Sequence, residues 1–430
     1  MTPRWSYPLV ALLLCIASSA RSEDQVSRGT SVPSEYCKVG IFGDGSSAFA
    51  VITQADDGFA YSFDDGRLGK IGSATSLVKC AEKSLVIDNQ ELWPEILIRR
   101  TDTQFTSGEI TLAGRLLEPI DADEQTPLLI YAHGSERWGW IGHFRDPYHM
   151  VARGISVFVY DKRGTGLSQG RYTQNFPKLA DDLVAASREA KRLAEGRFGK
   201  FGLGGLSQGG WIAPLAARRA EADFVAIGYG LVVDIREEDA SQVQKELRDK
   251  GFGEDVLETA REITDITARI ASSEYTYGID ELSEFQRKYS SEDWFRAISG
   301  GYTGVFLSIP ADQLRREGVP QFRDLEIDWS LSPMTVLRAV DVPQLWILAG
   351  EDREAPIELT VERLKQLRRE GSDIAIHIFP DTDHGMREFT RAPDGSLVFN
   401  EVTDGYYDLF ADWVKGDLRG GYGTSFVVED

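Results

Sequence analysis

The feature that most constrains this chain is a series of short, almost unbroken apolar runs. They are Pro127-Leu128-Leu129-Ile130-Tyr131-Ala132, Ile155-Ser156-Val157-Phe158-Val159-Tyr160, Phe224-Val225-Ala226-Ile227-Gly228, Leu345-Trp346-Ile347-Leu348-Ala349 and Ile374-Ala375-Ile376-His377-Ile378-Phe379. Runs of this length without polar alternation fit strands buried on both faces, as in a mostly parallel sheet. Helical stretches separate them: Leu179, Leu183, Ala186, Ala190 and Leu193 recur at helical spacing, and residues 208–220 and 357–369 read the same way. Strand–helix alternation of this kind predicts βαβ units, hence an α/β fold with a mostly parallel central sheet and flanking helices.

The alternation is interrupted once. Residues 234–329 are highly charged, with Val256, Ala260, Ile263, Ile266 and Ile270 at helical spacing and then Trp294, Phe295, Tyr302 and Phe306. This reads as a helical insertion capping one end of the sheet, with extra packing as the alternative reading. Before the α/β pattern, residues 35–94 hold period-2 fragments such as Ala48-Phe49-Ala50-Val51-Ile52, separated by Asp-Gly turns, which predicts a small β-rich domain. The expected organisation is therefore a β-rich domain over 35–94, an α/β core over 95–233 and 330–418, and a cap over 234–329.

The first residues belong to none of these. Arg4, the apolar run Leu9 to Ala17 and the small residues Ser18-Ser19-Ala20 have the pattern of a cleaved signal peptide over 1–20, followed by a polar leader over 21–34. An uncleaved anchor is the alternative. Export to the periplasm or the extracellular space changes how the cysteines read. Cys15 leaves with the signal peptide, and Cys37 and Cys80 remain to form one disulfide, two buried free thiols being the alternative. Neither cysteine has metal-like spacing, and no metal or cofactor is expected. Acidic residues outnumber basic ones, 68 to 47. That surface argues against nucleic acid or anionic lipid as a partner, and no stable membrane insertion is expected once the signal is cleaved.

Chemistry enters through the pentapeptide Gly-Leu-Ser-Gln-Gly, which occurs twice, at 166–170 and 205–209. Context separates the copies. A strained nucleophile turn needs a strand before its serine and a helix after it. Ser207 has both: Phe201 to Gly205 precede it, and Trp211 to Ala217 follow, with Pro214 expected early in the helix. Ser168 has neither and reads as loop. Gly202-Leu203-Gly204-Gly205-Leu206-Ser207 also approximates a dinucleotide fingerprint, but Ser207 stands at the third glycine.

A serine hydroxyl needs a base within reach, and the base needs an acid to fix its tautomer. Of the five histidines, His384 lies in the loop after the run 374–379, at the sheet edge where Ser207 is expected; His377 sits within that run and reads as structural. His143 and His149 have no catalytic spacing. Asp352, after the run 345–349, is the preferred acid, with Glu351, Glu354, Asp381 and Asp383 as competitors. The backbone N–H groups of Gln208 and of Ser135 are the expected oxyanion donors, Ser135 lying in an oxyanion loop with His133 and Gly134. Trp138 and Trp140 either line the pocket or pack.

These residues together resemble the α/β-hydrolase superfamily over about residues 95–415, through Tyr131-Ala132-His133-Gly134, Tyr160-Asp161-Lys162-Arg163-Gly164, Gly205-Leu206-Ser207-Gln208-Gly209-Gly210-Trp211 and Gly350-Glu351-Asp352. Within it the chain is similar to exported bacterial serine esterases and peptidases of the dienelactone-hydrolase-like branch, though dienelactone hydrolases proper use Cys where this chain has Ser207. The resemblance implies the α/β-hydrolase fold and a serine hydrolase acting on small-molecule or peptide acyl substrates: an esterase first, a peptidase or amidase second. A non-catalytic binding protein on the same fold is the third reading.

Overall fold

A computed structural model describes residues 36–319, 322, 325–393 and 397–429. The expected signal peptide, Cys15 and the leader lie outside the described residues. The chain divides into two compact units, one formed by residues 234–329 and the other by the segments on either side of it.

The larger unit begins with seven short strands, β1 (Gly40–Gly43), β2 (Phe49–Ala55), β3 (Gly58–Phe63), β4 (Leu68–Lys70), β5 (Val78–Ala81), β6 (Ser84–Ile87) and β7 (Glu91–Ile96). They form one antiparallel sheet in the order β4-β3-β2-β1-β7-β6-β5. The two faces are used differently. Phe42, Ala50, Ile52 and Phe63 pack into a core of the sheet's own with Trp93. Ile41, Phe49 and Val51 point the other way and join the large core built around the α/β sheet. The period-2 pattern read in the sequence is thus two apolar faces with different partners. A disulfide links Cys37 to Cys80.

The α/β sheet is built from β8 (Ile98–Ser107), β9 (Ile110–Pro119), β10 (Leu128–Ala132), β11 (Ser156–Tyr160), β12 (Phe201–Leu206), β13 (Phe224–Gly228), β14 (Gln344–Ala349), β15 (Ile374–Phe379) and a terminal β19 (Phe426–Val427). Its order is β19-β15-β14-β13-β12-β10-β11-β9-β8. Strands β10 to β15 run parallel, and β8, β9 and β19 pair antiparallel at the edges. Helices α1 (Asp146–Ala152), α2 (Phe176–Leu193) and α3 (Gly209–Ala217) connect the first parallel strands. The expected strand pattern holds because every residue of β10 to β14 is buried, so no alternation is needed.

Strand β12 is glycine-rich for a packing reason. A Cβ on Gly202 would stand 2.1 Å from the Phe224 ring, and one on Gly204 would stand 2.7 Å from the Tyr131 ring. The rings of the flanking strands occupy the space, so burial between neighbours offsets the weak intrinsic strand preference of glycine. Pro214 departs from expectation: it is the sixth residue of α3, past the first turn. The helix thereby forgoes the hydrogen bond to the Gly210 carbonyl, and Gly210 brings no side chain to that turn.

The smaller unit is helical: α4 (Ile235–Asp249), α5 (Glu254–Ser272), α6 (Ile279–Tyr289), α7 (Asp293–Ala297), α8 (Gly301–Ser308) and α9 (Ala311–Glu317). Asp234 and Glu237 form a reciprocal capping box that starts α4. Ala260, Ile263, Ile266 and Ile270 lie on the buried stripe of α5 as their spacing predicts, whereas Val256 is half-buried and Leu257 takes the buried place in that turn. The chain returns through α10 (Pro333–Leu337) to β14, α11 (Ile357–Arg369) and β15, and then forms a hairpin-like sheet of β16 (Thr382–Asp383), β17 (Arg387–Arg391) and β18 (Leu397–Val402) before α12 (Tyr406–Lys415).

Candidate active site

Strand order reverses at β10: the chain leaves it for β11 on one side and returns to β12 on the other. Open α/β sheets gather ligands outside the carboxyl ends of their strands at such a reversal. Here those ends carry His133-Gly134-Ser135 after β10 and Ser207 after β12, with Ala132 and Gly205 as register partners.

Ser207 is one of few non-glycine residues with positive φ, at 53°. Its amide donates to the Gly228 carbonyl at 3.2 Å, and the Gly210 amide donates to its carbonyl at 2.8 Å, so the strand turns directly into α3. The flanking glycines are required by close approach. A Cβ on Gly205 would meet the Gly209 carbonyl oxygen at 2.4 Å, and a Cβ on Gly209 would meet the Ala132 carbonyl oxygen at 2.5 Å. The other copy of the pentapeptide uses its glycines differently: Gly166 and Gly170 have φ of 50° and 90°, while Ser168 is not among the positive-φ residues. Ser168 Oγ donates to the Asp161 carbonyl at 2.5 Å and accepts from the Ala113 amide at 2.9 Å. It staples a loop to β9, in keeping with its sequence reading.

His384 meets both other members of the expected constellation. Its Nε2 lies 2.8 Å from Ser207 Oγ, and its Nδ1 lies 2.9 and 3.0 Å from the Asp352 oxygens. Two backbone bonds hold the supporting loops together, from the Gly350 amide to the Phe379 carbonyl and from the Glu351 amide to the Thr382 carbonyl, each 2.8 Å. Asp352 Oδ1 also accepts from the Glu354 and Ala355 amides at 2.9 Å, fixing its own turn. Three of the four competing acids are placed elsewhere. Asp383 accepts from the Arg353 amide and guanidinium, and Glu351 and Asp381 are exposed. Glu354 is buried with an oxygen 3.5 Å from His384 Nε2, on the opposite edge of the ring from Asp352.

Burial works against a charged imidazole, but the Asp352 and Glu354 carboxylates and the Asp352 hydrogen bond outweigh it and raise the His384 pKa above the ordinary value. Burial, with Asp352 and Asp383 nearby, likewise raises that of Glu354 against the pull of His384.

The loop after β10 is held by the segment leaving β11. His133 Nε2 donates to the Tyr160 carbonyl at 2.6 Å, Lys162 Nζ donates to the Gly134 carbonyl at 2.7 Å, and the Tyr172 hydroxyl donates to the Ser135 carbonyl at 2.5 Å. Burial first, and then Lys162, hold the His133 pKa well below the usual imidazole range, so the ring is neutral. Trp140 is buried, 4.2 Å between ring centroids from His133 and stacked on Phe144 at 4.0 Å, which makes it packing; Trp138 is exposed. Sequence reading missed Lys162 and Tyr172 as supports of this loop. The one signal was the phrase Tyr160-Asp161-Lys162-Arg163-Gly164.

The sequence matches the alpha/beta hydrolase family over residues 129–394, more than half of the chain, and the protein belongs to that family. Comparison with curated proteins finds no match. Among solved structures the chain is similar to an esterase of Pyrococcus furiosus, at 14% identity and TM-score 0.41, covering 67% of this chain and 84% of that one. It is also similar to the acylaminoacyl peptidase of Pyrococcus horikoshii, at 14% identity and TM-score 0.41, covering 79% of this chain and 50% of that one. A serine hydrolase of Xanthomonas campestris, described as lacking a lid, is similar at 13% identity and TM-score 0.36, covering 66% of this chain and 86% of that one.

Proposed function

We propose that this protein is a serine hydrolase that cleaves carboxylic esters through an acyl-enzyme intermediate, with Ser207 as nucleophile, His384 as base and Asp352 as the acid that orients it. The observation that carries this reading is the unbroken chain from Ser207 Oγ through His384 to Asp352, with the serine at a positive-φ turn between strand and helix. In the forward step His384 Nε2 takes the Ser207 proton as Oγ attacks the acyl carbon. The same nitrogen returns the proton to the leaving alcohol, and water repeats the sequence on the acyl-enzyme.

The tetrahedral oxyanion needs donors, and we assign them to the backbone N–H groups of Gln208 and Ser135. Support for Ser135 comes from Lys162. Lys162 holds the Gly134 carbonyl, and in a trans peptide the following N–H points the opposite way. Gly134 also lies beside the nucleophile: a Cβ there would stand 3.7 Å from Ser207 Cβ. Export is part of the proposal, supported by the Cys37–Cys80 disulfide, a bond typical of oxidising compartments.

Incubation with a fluorophosphonate probe, followed by peptide mass spectrometry, tests the reading. An adduct on Ser207 is expected. Folded protein without an adduct there overturns it. A panel of short acyl esters, thioesters and peptide amides then ranks the leaving groups, and faster turnover of amides would replace esterase with peptidase.

A further inference from the structure

Glu354 is a buried carboxyl that the steps above do not use. Its Oε2 has no hydrogen-bond partner among the described residues, and it lies 3.5 Å from His384 Nε2, the nitrogen that faces Ser207. The charged groups around it are few. Arg353 is adjacent in sequence, but its guanidinium and amide are committed to Asp383. Asp352 and Asp383 are of like sign, and Asp352 is bound to the other ring nitrogen. The imidazole of His384 is therefore the cation available to Glu354 in this group. With the ring neutral, carboxylates stand at both of its edges with only one proton donor between them; with the ring protonated, both are matched.

We propose that Glu354 is a positioning residue for the base: it holds the nucleophile-facing edge of the His384 ring and stabilises the imidazolium, so that it sets the pH range over which His384 can accept the Ser207 proton. This rests on the proposed role of His384 as base. The sign follows directly. The neutral ring is the working form at the start of the step, so a carboxylate that favours the charged form moves the onset of activity to higher pH. The same carboxylate stabilises the imidazolium formed while the tetrahedral intermediate stands. The raised pKa of His384 agrees with this arrangement, and His384 in turn pulls the Glu354 carboxyl down against the burial and like charges that raise it. Because the two groups share protons, they titrate as a pair.

The test is the titration of the His384 ring by NMR in the wild-type chain and in Glu354→Gln, alongside kcat/KM against pH for a short acyl ester. Glutamine keeps the shape and removes the charge. The ring midpoint, and with it the acid limb of kcat/KM, should move down by about 1–3 pH units in Glu354→Gln, the usual effect of a neighbouring opposite charge. Glu354→Asp should restore part of the shift. An unchanged ring midpoint in folded Glu354→Gln overturns the proposal. A wild-type midpoint at or below the ordinary imidazole value, about 6.5, overturns it without any variant. The ring titration does not depend on turnover, so an unlabelled Ser207 with a shifted His384 would reject the esterase reading and leave the pairing intact.

Discussion

Lys162 donates its ammonium to the Gly134 carbonyl at 2.7 Å while its side chain is only 1% exposed. A lysine buried this far has its pKa lowered to about 8 by desolvation, against the pull of Glu136, whose carboxylate lies 3.8 Å away. Lys162 is thus paired with the partly buried Glu136 of the loop that follows β10. Lys162→Met should lower kcat/KM by about 10²-fold through misplacement of the Gly134–Ser135 peptide. It should also cost about 1–3 kcal/mol of stability, because the Gly134 carbonyl and the partly buried Glu136 lose their shared partner. Adding Glu136→Gln should recover part of the stability and none of the rate. Urea unfolding and ester kinetics on the three proteins separate the two effects.

The turn at Ser207 depends on the absence of two Cβ atoms. Gly209→Ala would place a methyl 2.5 Å from the Ala132 carbonyl oxygen, a backbone atom that cannot swing aside. A loss of about 1–3 kcal/mol is expected from such overpacking, with the turn displaced. Gly170→Ala strains φ of 90° in an exposed loop instead, so it should cost less and leave the reaction intact. A melting series on both variants checks the contrast.

Ser207→Ala should abolish turnover of short acyl esters. Ser168→Ala removes two loop hydrogen bonds and should leave turnover nearly unchanged. Equal losses in the two variants would show that the wrong copy of the pentapeptide has been chosen.

Asp352→Asn keeps the shape of the acid while removing the charge that faces His384 Nδ1. A drop in kcat of about 10³–10⁴-fold is expected, as when the base is left in the wrong tautomer. Glu351→Gln, at an exposed position, is the control and should change kcat little.

The buried histidines His133 and His149 should contribute a loss of stability as pH drops below about 6.5, the unfolded imidazole value, while the buried carboxyls of Asp239 and Glu354, raised to about 7, favour the folded state over the same range. His133 and His149 are buried. Desolvation, with Lys162 beside the first and Arg153 beside the second, holds both folded pKa values well below that point. Between the folded and unfolded values the unfolded chain binds more protons, so acid favours unfolding, at about 1.4 kcal/mol per pH unit for each group. His384 acts in the opposite sense: its folded pKa is raised, so its contribution is present below about 6.5 and is lost as pH rises through the folded value. Denaturant midpoints of the wild-type chain and of His149→Asn from pH 5 to 8 test the sign: the wild-type chain should lose stability relative to the variant as pH falls below about 6.5.

The parallel strands were legible because runs such as Ile374–Phe379 are apolar in any context, and the structure puts β15 at those same residues. Strands β16 to β18 were not. Arg387-Glu388-Phe389-Thr390-Arg391 is half-buried or exposed throughout, so it carries no apolar face to read. Ser207 could be separated from Ser168 by its neighbours in sequence, but the reason for the glycines could not, because it lies in the carbonyls of Gly209 and Ala132. Asp352 and Glu354 show the same limit. Two residues apart on one turn, they reach opposite edges of one ring, and only the fold of the turn decides which.

The amide of Val402 donates to the carbonyl of Gly66 at 3.0 Å, and a Cβ on Gly66 would stand 2.0 Å from the Val402 oxygen. Ser62 Oγ meets His149 Nε2 at 2.6 Å. The opening sheet therefore waits for partners synthesised well after it, His149 and Val402. Contacts so distant in sequence slow folding, since the loop between them must close before the contact stabilises anything. The Cys37–Cys80 bond needs only the first strands and can lock that sheet while the rest of the chain is still arriving.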